Sequence, residues 1–130
     1  MTYRRGYEFP NEGFVQKAIE GEFRSRGFKE TPKGHIDLCC QHPQTSERWI
    51  IEAKGKTSEV GLDFRTGIGQ LVQRMDEPST RFGIAVPDID QFRYQLRQVR
   101  GWVREALGIH WILISKDGRV TIVTTEQKLY

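Results

Sequence analysis

The chain has 130 residues, of which 37% are hydrophobic and 28% are charged, and its formal net charge is +3. This length is that of one domain with a hydrophobic core, so we expect residues 1–130 to form a single domain. No apolar run approaches the roughly 18 residues that cross a bilayer, and no hydrophobic signal segment follows the basic N-terminus. We therefore expect a cytoplasmic protein without a membrane partner, whose mild basic excess is compatible with a polyanionic ligand.

The N-terminal part of the chain is predicted to form one helix followed by three short strands. Asn11 is typical of a helix N-cap, and apolar residues recur at helical spacing from there to Gly27. Short apolar runs then predict strands over residues 28–31, 34–38 and 49–54. The last two strands are expected to form an antiparallel hairpin through a polar turn.

The C-terminal part is predicted to alternate helices and strands. A helix over residues 63–75 contains Gly67 and Gly69, each of which costs about 1 kcal/mol relative to alanine. Glycines in such positions indicate close approach of the helix to the sheet or to a ligand. A buried strand, one long helix and a hairpin are predicted to follow, over residues 82–86, 89–107, 109–115 and 120–124. The order α-β-β-β-α-β-α-β-β predicts an α/β (α+β) fold with a mixed central sheet flanked by helices.

Two of the predicted core strands carry an acidic residue where a core strand normally has none. If Cys40 faces Trp49 in the hairpin, Asp37 lies directly opposite Glu52, where Cβ atoms are about 4.5–5.5 Å apart and like charges destabilise the pair. Lys54 lies on the same face as Glu52, because residues i and i+2 of a strand share a side. Two carboxylates and an ammonium on one patch of sheet predict a divalent metal site suited to phosphodiester hydrolysis.

An alternative interpretation treats Glu52 and Lys54 as ordinary solvent-side residues of an edge strand, with Asp37 at a strand end. An acid-x-Lys tripeptide is common by itself. Apolar residues flank both acids, however, and the hairpin brings the two acids together. Converging charges on apolar strands need an explanation, so the metal-site interpretation is favoured.

The segments Gly34-His35-Ile36-Asp37, Ile51-Glu52-Ala53-Lys54 and Gly69-Gln70 follow a first helix in this order. In this order they resemble the PD-(D/E)XK nuclease superfamily, which has the restriction-endonuclease-like fold and includes restriction enzymes, archaeal Holliday-junction resolvases and recombination exonucleases. The similarity covers residues 11–86. It implies a metal-dependent DNA endonuclease or exonuclease that acts in restriction, repair or recombination, with Mg²⁺ as cofactor and Mn²⁺ able to substitute.

The resemblance also implies roles for individual residues. Asp37 and Glu52 are implied to be carboxylate ligands of Mg²⁺, and the carbonyl of Ala53 is implied to be a third ligand. Lys54 is implied to orient the attacking water or to stabilise charge on the scissile phosphate. Gln70 is implied to lie near the metal or the substrate backbone, the alternative being an exposed helix glutamine.

The chain departs from the superfamily pattern at two positions. Ile36 stands where the superfamily has a proline before the first acid. The first-helix position that holds a glutamate in many relatives falls near Gln16, and Glu12 and Glu20 lie one turn to either side of it on the same face. We prefer Glu12 as the site residue, while Glu20 and Gln16 stay open, and with them a mechanism with one or two metals.

Four arginines run beside the apolar stripe of the predicted long helix, at steps of four, three and four residues: Arg93, Arg97, Arg100 and Arg104. Such steps place them on one face, which is interpreted as a phosphate-backbone contact. Lys56 is a further candidate for contact with nucleic acid. The alternative interpretation is a solvated helix face whose arginine stems cover apolar surface.

DNA is the expected partner, and a homodimer is the expected assembly. A nuclease core without a separate DNA-reading domain needs a second copy to span a duplex or junction. The apolar hairpin at residues 111–114 and 120–123, with Trp102 nearby, is the predicted two-fold interface. A larger DNA-processing complex is another possible partner. Two other functions fit the sequence, a catalytically silent nucleic-acid-binding module and a structural subunit on the same fold.

Overall fold

A computed structural model describes residues 6–32 and 34–129, which leaves residues 1–5, 33 and 130 outside the description. Within the described residues the chain forms four helices and six strands. Their order is α1 (Glu12–Ser25), β1 (Lys29–Glu30), β2 (Leu38–Gln41), β3 (Arg48–Ala53), α2 (Val60–Gln73), β4 (Arg81–Pro87), α3 (Asp90–Arg97), α4 (Gly101–Leu107), β5 (Ile109–Ile114) and β6 (Val120–Val123).

The six strands form one mixed sheet in the order β1-β2-β3-β4-β5-β6. Strands β3, β4 and β5 are parallel, and every other neighbouring pair is antiparallel. Parallel neighbours need a crossover, and α2 and then α3 with α4 provide the two that this sheet requires. The prediction of an α/β fold with a mixed sheet flanked by helices is therefore confirmed. None of the described helices is long and apolar enough to cross a membrane.

Period-two alternation divides the strand residues between two apolar layers, one on each face of the sheet. Cys40 and Ile51 pack with Val15, Ile19 and Phe23 of α1. On the other face, strand residues pack with α2 and α3 in a cluster that includes Cys39, Ile50, Phe64, Leu71 and Phe92. Full burial of each large apolar side chain stabilises the fold by about 1.5–3 kcal/mol. Residues i and i+2 of a strand share a side, so Glu52 on β3 faces α2, as Ile50 does.

Helix α1 begins and ends where the sequence predicts. Asn11 lies at the N-cap with extended backbone angles, φ −80° and ψ 160°. Gly27 ends the helical turn with φ +92°, a left-handed conformation that glycine adopts without strain, and its N–H donates to the carbonyl of Arg24 at 3.0 Å. The chain then turns back into β1.

The strand predicted over residues 34–38 is displaced, because β2 runs from Leu38 to Gln41. Gly34 is part of a turn with φ +59°, and regular pairing starts only after it. Asp37 therefore lies immediately before β2 rather than inside it. This places its carboxylate where one strand begins and the neighbouring antiparallel strand ends.

The prediction of a single long helix over residues 89–107 is wrong, because the structure has two shorter helices there. Helix α3 ends at Arg97, and Arg100 has extended angles of φ −63° and ψ 144° before α4 starts at Gly101. Glycine is a poor residue for a helix interior, whereas a helix tolerates it at its first position. The observed order is therefore α-β-β-β-α-β-α-α-β-β.

The proposed interface needs a correction at β5. Residues 111–114 are buried in the core of their own chain, because β5 lies between β4 and β6 in the sheet. The accessible part of this region is the edge strand β6, and Trp102 on α4, which is 74% exposed. The homodimer stays a prediction, with β6 and Trp102 as the surfaces that remain for it.

Candidate active site

The pairing of β2 with β3 places the two acids side by side. Cys40 pairs with Trp49, as predicted. The same register, continued to the residue before β2, sets Asp37 opposite Glu52. One carboxylate oxygen of Asp37, Oδ2, accepts a hydrogen bond from the backbone N–H of Ala53 at 2.8 Å. The carboxyl groups of Asp37 and Glu52 lie within hydrogen-bonding reach of each other.

Glu52 is a buried acid whose ionisation is costly. Its residue exposure is 2%. Burial and, second, the negative charge of Asp37 raise its pKa, whereas Arg74 and Lys54 lower it, and together they bring the pKa from the ordinary value of 4.5 to about 7. Near neutral pH the acid pair therefore holds a proton for part of the time. A divalent cation would favour the fully ionised pair in place of that proton.

This shift predicts how the metal-free protein responds to pH. The folded-state pKa of Glu52 lies above its unfolded value, so the folded chain binds the proton more tightly. The free energy of unfolding should then be greatest below pH 4.5 on account of this group, and should fall by roughly 3 kcal/mol as the pH rises to about 7. Denaturant unfolding in a chelator would measure this. The Glu52→Gln variant should lack this component, and a Gln variant with the same pH profile as the wild type would contradict it.

Lys54 follows β3 and is held against α2. Its backbone N–H donates to the carbonyl of Ala85 at 2.9 Å, which continues the parallel ladder. Its aliphatic stem lies on Gly67, where an added Cβ would be 3.1 Å from the lysine Cε and 3.3 Å from its Cγ. The expected close approach is thus confirmed at Gly67. At Gly69 a Cβ would meet no described atom within 4 Å apart from its chain neighbours and the nearby backbone of its own helix, so the predicted close approach is not found there.

The two glycines provide a matched pair of variants. Gly67→Ala should displace the Lys54 stem and the Ile84 methyl, which a Cβ would approach to 2.9 Å. In the free energy of unfolding, the higher helix propensity of alanine should offset this strain. Nuclease activity should fall about tenfold or more, because a displaced catalytic group such as the Lys54 ammonium loses most of its effect. Gly69→Ala should raise stability by about 0.5–1 kcal/mol with unchanged activity. Equal activities of the two variants would contradict the role of Gly67.

Gln70 lies one turn after Gly67 on the face of α2 that covers Lys54. Its Oε1 is buried, and among residues 6–32 and 34–129 it has no hydrogen-bond partner. An unpaired buried acceptor costs about 1–3 kcal/mol, and a ligand at this oxygen would offset that cost. Oxygen atoms of carboxylates, amides and carbonyls are the donors that Mg²⁺ prefers. The donor set of Asp37, Glu52, the buried Ala53 and Gln70 therefore fits a magnesium ion.

The part of the chain that the structure describes contains no group of three or more His, Cys, Asp and Glu side chains placed to hold a metal. The predicted site has two carboxylates, and its further oxygens belong to an amide and the backbone. The predicted site is therefore one of hard oxygen ligands rather than a zinc-type cluster.

The first helix reaches the site through Gln16. Its Nε2 donates to the backbone carbonyl of Asp37 at 2.7 Å and to Oε2 of Glu20 at 2.9 Å, while its Oε1 is buried without a partner in the described chain. Glu20 thus approaches the acids through Gln16. Glu12 starts α1 at the end of the sheet that carries Lys54, since a side chain at Gly55 would collide with its backbone. The preference for Glu12 stays a prediction.

Arg74 is a site residue that the sequence analysis missed. It is the C-cap of α2, and its Nη1 donates to Oε2 of Glu52 at 2.7 Å. The side chain of Arg74 is 22% exposed and that of Glu52 is 3% exposed, so the guanidinium enters the site from its rim. The spacing of Gly67, Gln70 and Arg74, three and then four residues, was the available signal, because it places all three on one helix face.

The predicted arginine face does not exist as one surface, because the helix is broken. Arg104 is buried and stacks on the ring of Trp111 at 4.8 Å. Its guanidinium donates to four carbonyl oxygens, those of Ile109, Val123, Thr124 and Gln127. This arginine therefore joins α4 to the C-terminal strands and is not available to a phosphate.

The other predicted nucleic-acid contacts have different surroundings. Arg93 is half-buried and forms an ion pair with Asp88. Arg97 and Arg100 are exposed. Lys56 is exposed in the loop after β3, where its backbone N–H donates to the carbonyl of Pro10 at 2.9 Å. Contacts of Arg97, Arg100 and Lys56 with nucleic acid stay predictions.

No protein-family model matches the sequence, and no curated protein matches it either. The interpretation of the site therefore depends on the geometry and chemistry of its own residues: a buried acid pair, a lysine packed on a glycine, and an unpaired amide oxygen.

Proposed function

We propose that the chain is a metal-dependent deoxyribonuclease that hydrolyses phosphodiester bonds as an endonuclease or exonuclease, with a site similar to that of the PD-(D/E)XK superfamily. One observation carries the proposal. Asp37 and the buried Glu52 face each other, with Lys54 on the same face of the sheet. We place this activity in restriction, repair or recombination, in the cytoplasm, as the sequence predicts.

The residues that would hold Mg²⁺ or Mn²⁺ are Asp37, Glu52 and the Ala53 carbonyl, and the buried Oε1 of Gln70 is a further candidate ligand. When bound, such an ion polarises a phosphoryl oxygen and lowers the pKa of a water molecule. Asp37 is kept in place by the N–H of Ala53, which fixes its carboxylate, and by Gln16, which fixes its backbone. These bonds hold the ligands before the ion arrives, so little reorganisation opposes binding.

Lys54 supplies a fixed positive charge to the substrate. Its ammonium extends from a stem that lies on Gly67, and its backbone N–H is fixed to the carbonyl of Ala85. Negative charge grows on the phosphoryl oxygens and on the leaving oxygen in the transition state. A cation placed in advance at that position stabilises the transition state more than the ground state, which raises the turnover rate.

One observation favours a second candidate, a nucleic-acid-binding module without catalysis. Arg74 already neutralises part of the charge of Glu52, as a metal ion would. In a silent module this ion pair would be permanent, and the acids would have no metal. The two candidates differ in their response to Mg²⁺, because only the nuclease is stabilised by the ion.

Two measurements on the purified protein test the proposal. The first is cleavage of linear, nicked, branched and single-stranded DNA with Mg²⁺, with Mn²⁺ and with a chelator. The second is the melting temperature under the same conditions. The nuclease cleaves at least one of these DNAs only with metal and melts higher with metal. A silent module binds DNA without either effect, and a structural subunit neither binds nor cleaves.

A further inference from the structure

The ion pair between Arg74 and Glu52 differs in geometry from two other partly buried arginine–carboxylate pairs of the described chain, Arg48 with Asp76 and Arg93 with Asp88. Arg48 donates from both Nη atoms to the two oxygens of Asp76, at 3.1 and 3.2 Å. Arg93 likewise uses two nitrogens for the two oxygens of its partner. Arg74 uses Nη1 alone, on one oxygen of Glu52. The strong two-point geometry of those two pairs is absent at Arg74, and the single contacts of Arg26 with Glu22 and of Arg81 with Glu47 belong to more exposed arginines.

The single contact leaves most of the Arg74 guanidinium for another anion. Guanidinium has five N–H donors, and the hydrogen bond to Glu52 uses one of them. The side chain is 22% exposed although its partner is nearly buried, so solvent reaches the donors that Glu52 does not use. The guanidinium lies at the rim of a site that also contains Lys54 and Gln70. Its remaining planar donors have the geometry that binds two oxygens of a phosphate.

A purely neutralising role would account poorly for this arrangement. Arg74 contacts one oxygen of Glu52 from the rim of the site and keeps donors that this contact does not use.

We propose that Arg74 binds a phosphate of the DNA substrate, with Nη1 on Glu52 and its remaining donors on non-bridging oxygens of the phosphodiester beside Lys54. The inference rests on the proposed function and adds a phosphate-binding residue to it. Arg74 then connects a metal ligand to the substrate, because the same planar group contacts both.

Binding measurements in a chelator separate this role from neutralisation of Glu52. The background is Glu52→Gln, in which the acid that Arg74 neutralises is gone. Anisotropy of a short fluorescein-labelled duplex gives the affinity and its salt dependence. Adding Arg74→Met to this background should weaken binding about tenfold or more and reduce the salt slope by about 0.9, as expected for one lost phosphate contact. Arg74→Lys keeps the positive charge but lacks the several planar donors of a guanidinium. Its DNA affinity should lie between that of the Glu52→Gln background and that of the background with Arg74→Met.

Arg81→Met is the matched control in the same background. It removes the same charge from an arginine that is paired with Glu47 at the start of β4, at the opposite end of the sheet from the acids. We expect its affinity to stay within about twofold of the background, since distant surface charges are screened. Melting temperatures of all variants verify that they fold, and Arg74→Lys replaces the Met variant if that one does not.

The outcomes distinguish failure of this inference from failure of the proposed function. If Arg74→Met and Arg81→Met weaken binding equally, only net charge matters and the inference is overturned. The same holds if neither variant changes the affinity while the wild type cleaves DNA. If the wild type neither binds nor cleaves DNA, the proposed function and this inference are both rejected.

Discussion

We expect Asp37→Asn to abolish metal-dependent cleavage and to leave the metal-free protein at least as stable as the wild type. The substitution removes the negative charge of one of the two carboxylate ligands, and the neutral amide oxygen that replaces it attracts Mg²⁺ less strongly than a carboxylate does. The amide oxygen still accepts the N–H of Ala53, which Oδ2 of Asp37 accepts at 2.8 Å. Like-charge repulsion across the hairpin disappears, so the pKa of Glu52 should fall towards its ordinary value.

Thermal melts with and without metal, together with a cleavage assay, measure both effects. The wild type should melt higher with Mg²⁺ or Mn²⁺, and the Asn variant should not respond. Asp37→Ala is the control, because it removes the acceptor as well as the charge. It leaves the N–H of the buried Ala53 unpaired, which costs about 1–3 kcal/mol in the free energy of unfolding. A purely structural Asp37 would give the opposite result: an Asn variant that melts lower without metal, and a wild type that ignores the ion.

The relation between the acids was predictable from sequence because a strand has a rigid period. Once Cys40 is paired with Trp49, every later pair of the hairpin follows, including Asp37 with Glu52. The bounds of β2 were less predictable. They depend on the turn at Gly34, whose left-handed conformation no periodic pattern indicates.

The break between α3 and α4 was missed because the apolar stripe continues through it. Leu96 and Val99 both pack against the core, one on each side of the end of α3. Arg104 is bound by carbonyl oxygens of the C-terminal strands, and such tertiary contacts leave no trace in local periodicity. A sequence that fits one long helix can therefore form two when a polar side chain has partners elsewhere.

The parts of the site that come from helices were predicted less well than those that come from strands. Arg74 and Gln16 reach the acids from opposite faces of the sheet, and their contacts depend on how each helix crosses it. Gly67 was the exception, since a glycine inside a helix indicates close packing without specifying the partner. The partner is Lys54, which connects the glycine to the proposed chemistry.

The second large effect is expected at Lys54. Lys54→Ala should leave the acid pair able to hold metal and should lower the turnover rate by about 100-fold to 1000-fold, which is the usual cost of removing one group that stabilises transition-state charge. Removal of the ammonium also raises the pKa of Glu52, because Lys54 lowers it in the wild type. Rates should therefore be compared at saturating metal and well above pH 7, where Glu52 is ionised in either protein.

Lys56→Ala is the matched control for this prediction, because Lys56 is exposed in the loop and lies only two residues further along the chain. It should reduce the salt slope of DNA binding by at most about 0.9, with an unchanged turnover rate. Single-turnover cleavage gives the rates, and the metal-induced rise in melting temperature reports whether the ion is bound. If Lys54→Ala kept the wild-type rate, the lysine would be a structural residue packed on Gly67. If it instead lost the response to metal, Lys54 would act by organising the acids, and its charge would not be a direct contribution to the transition state.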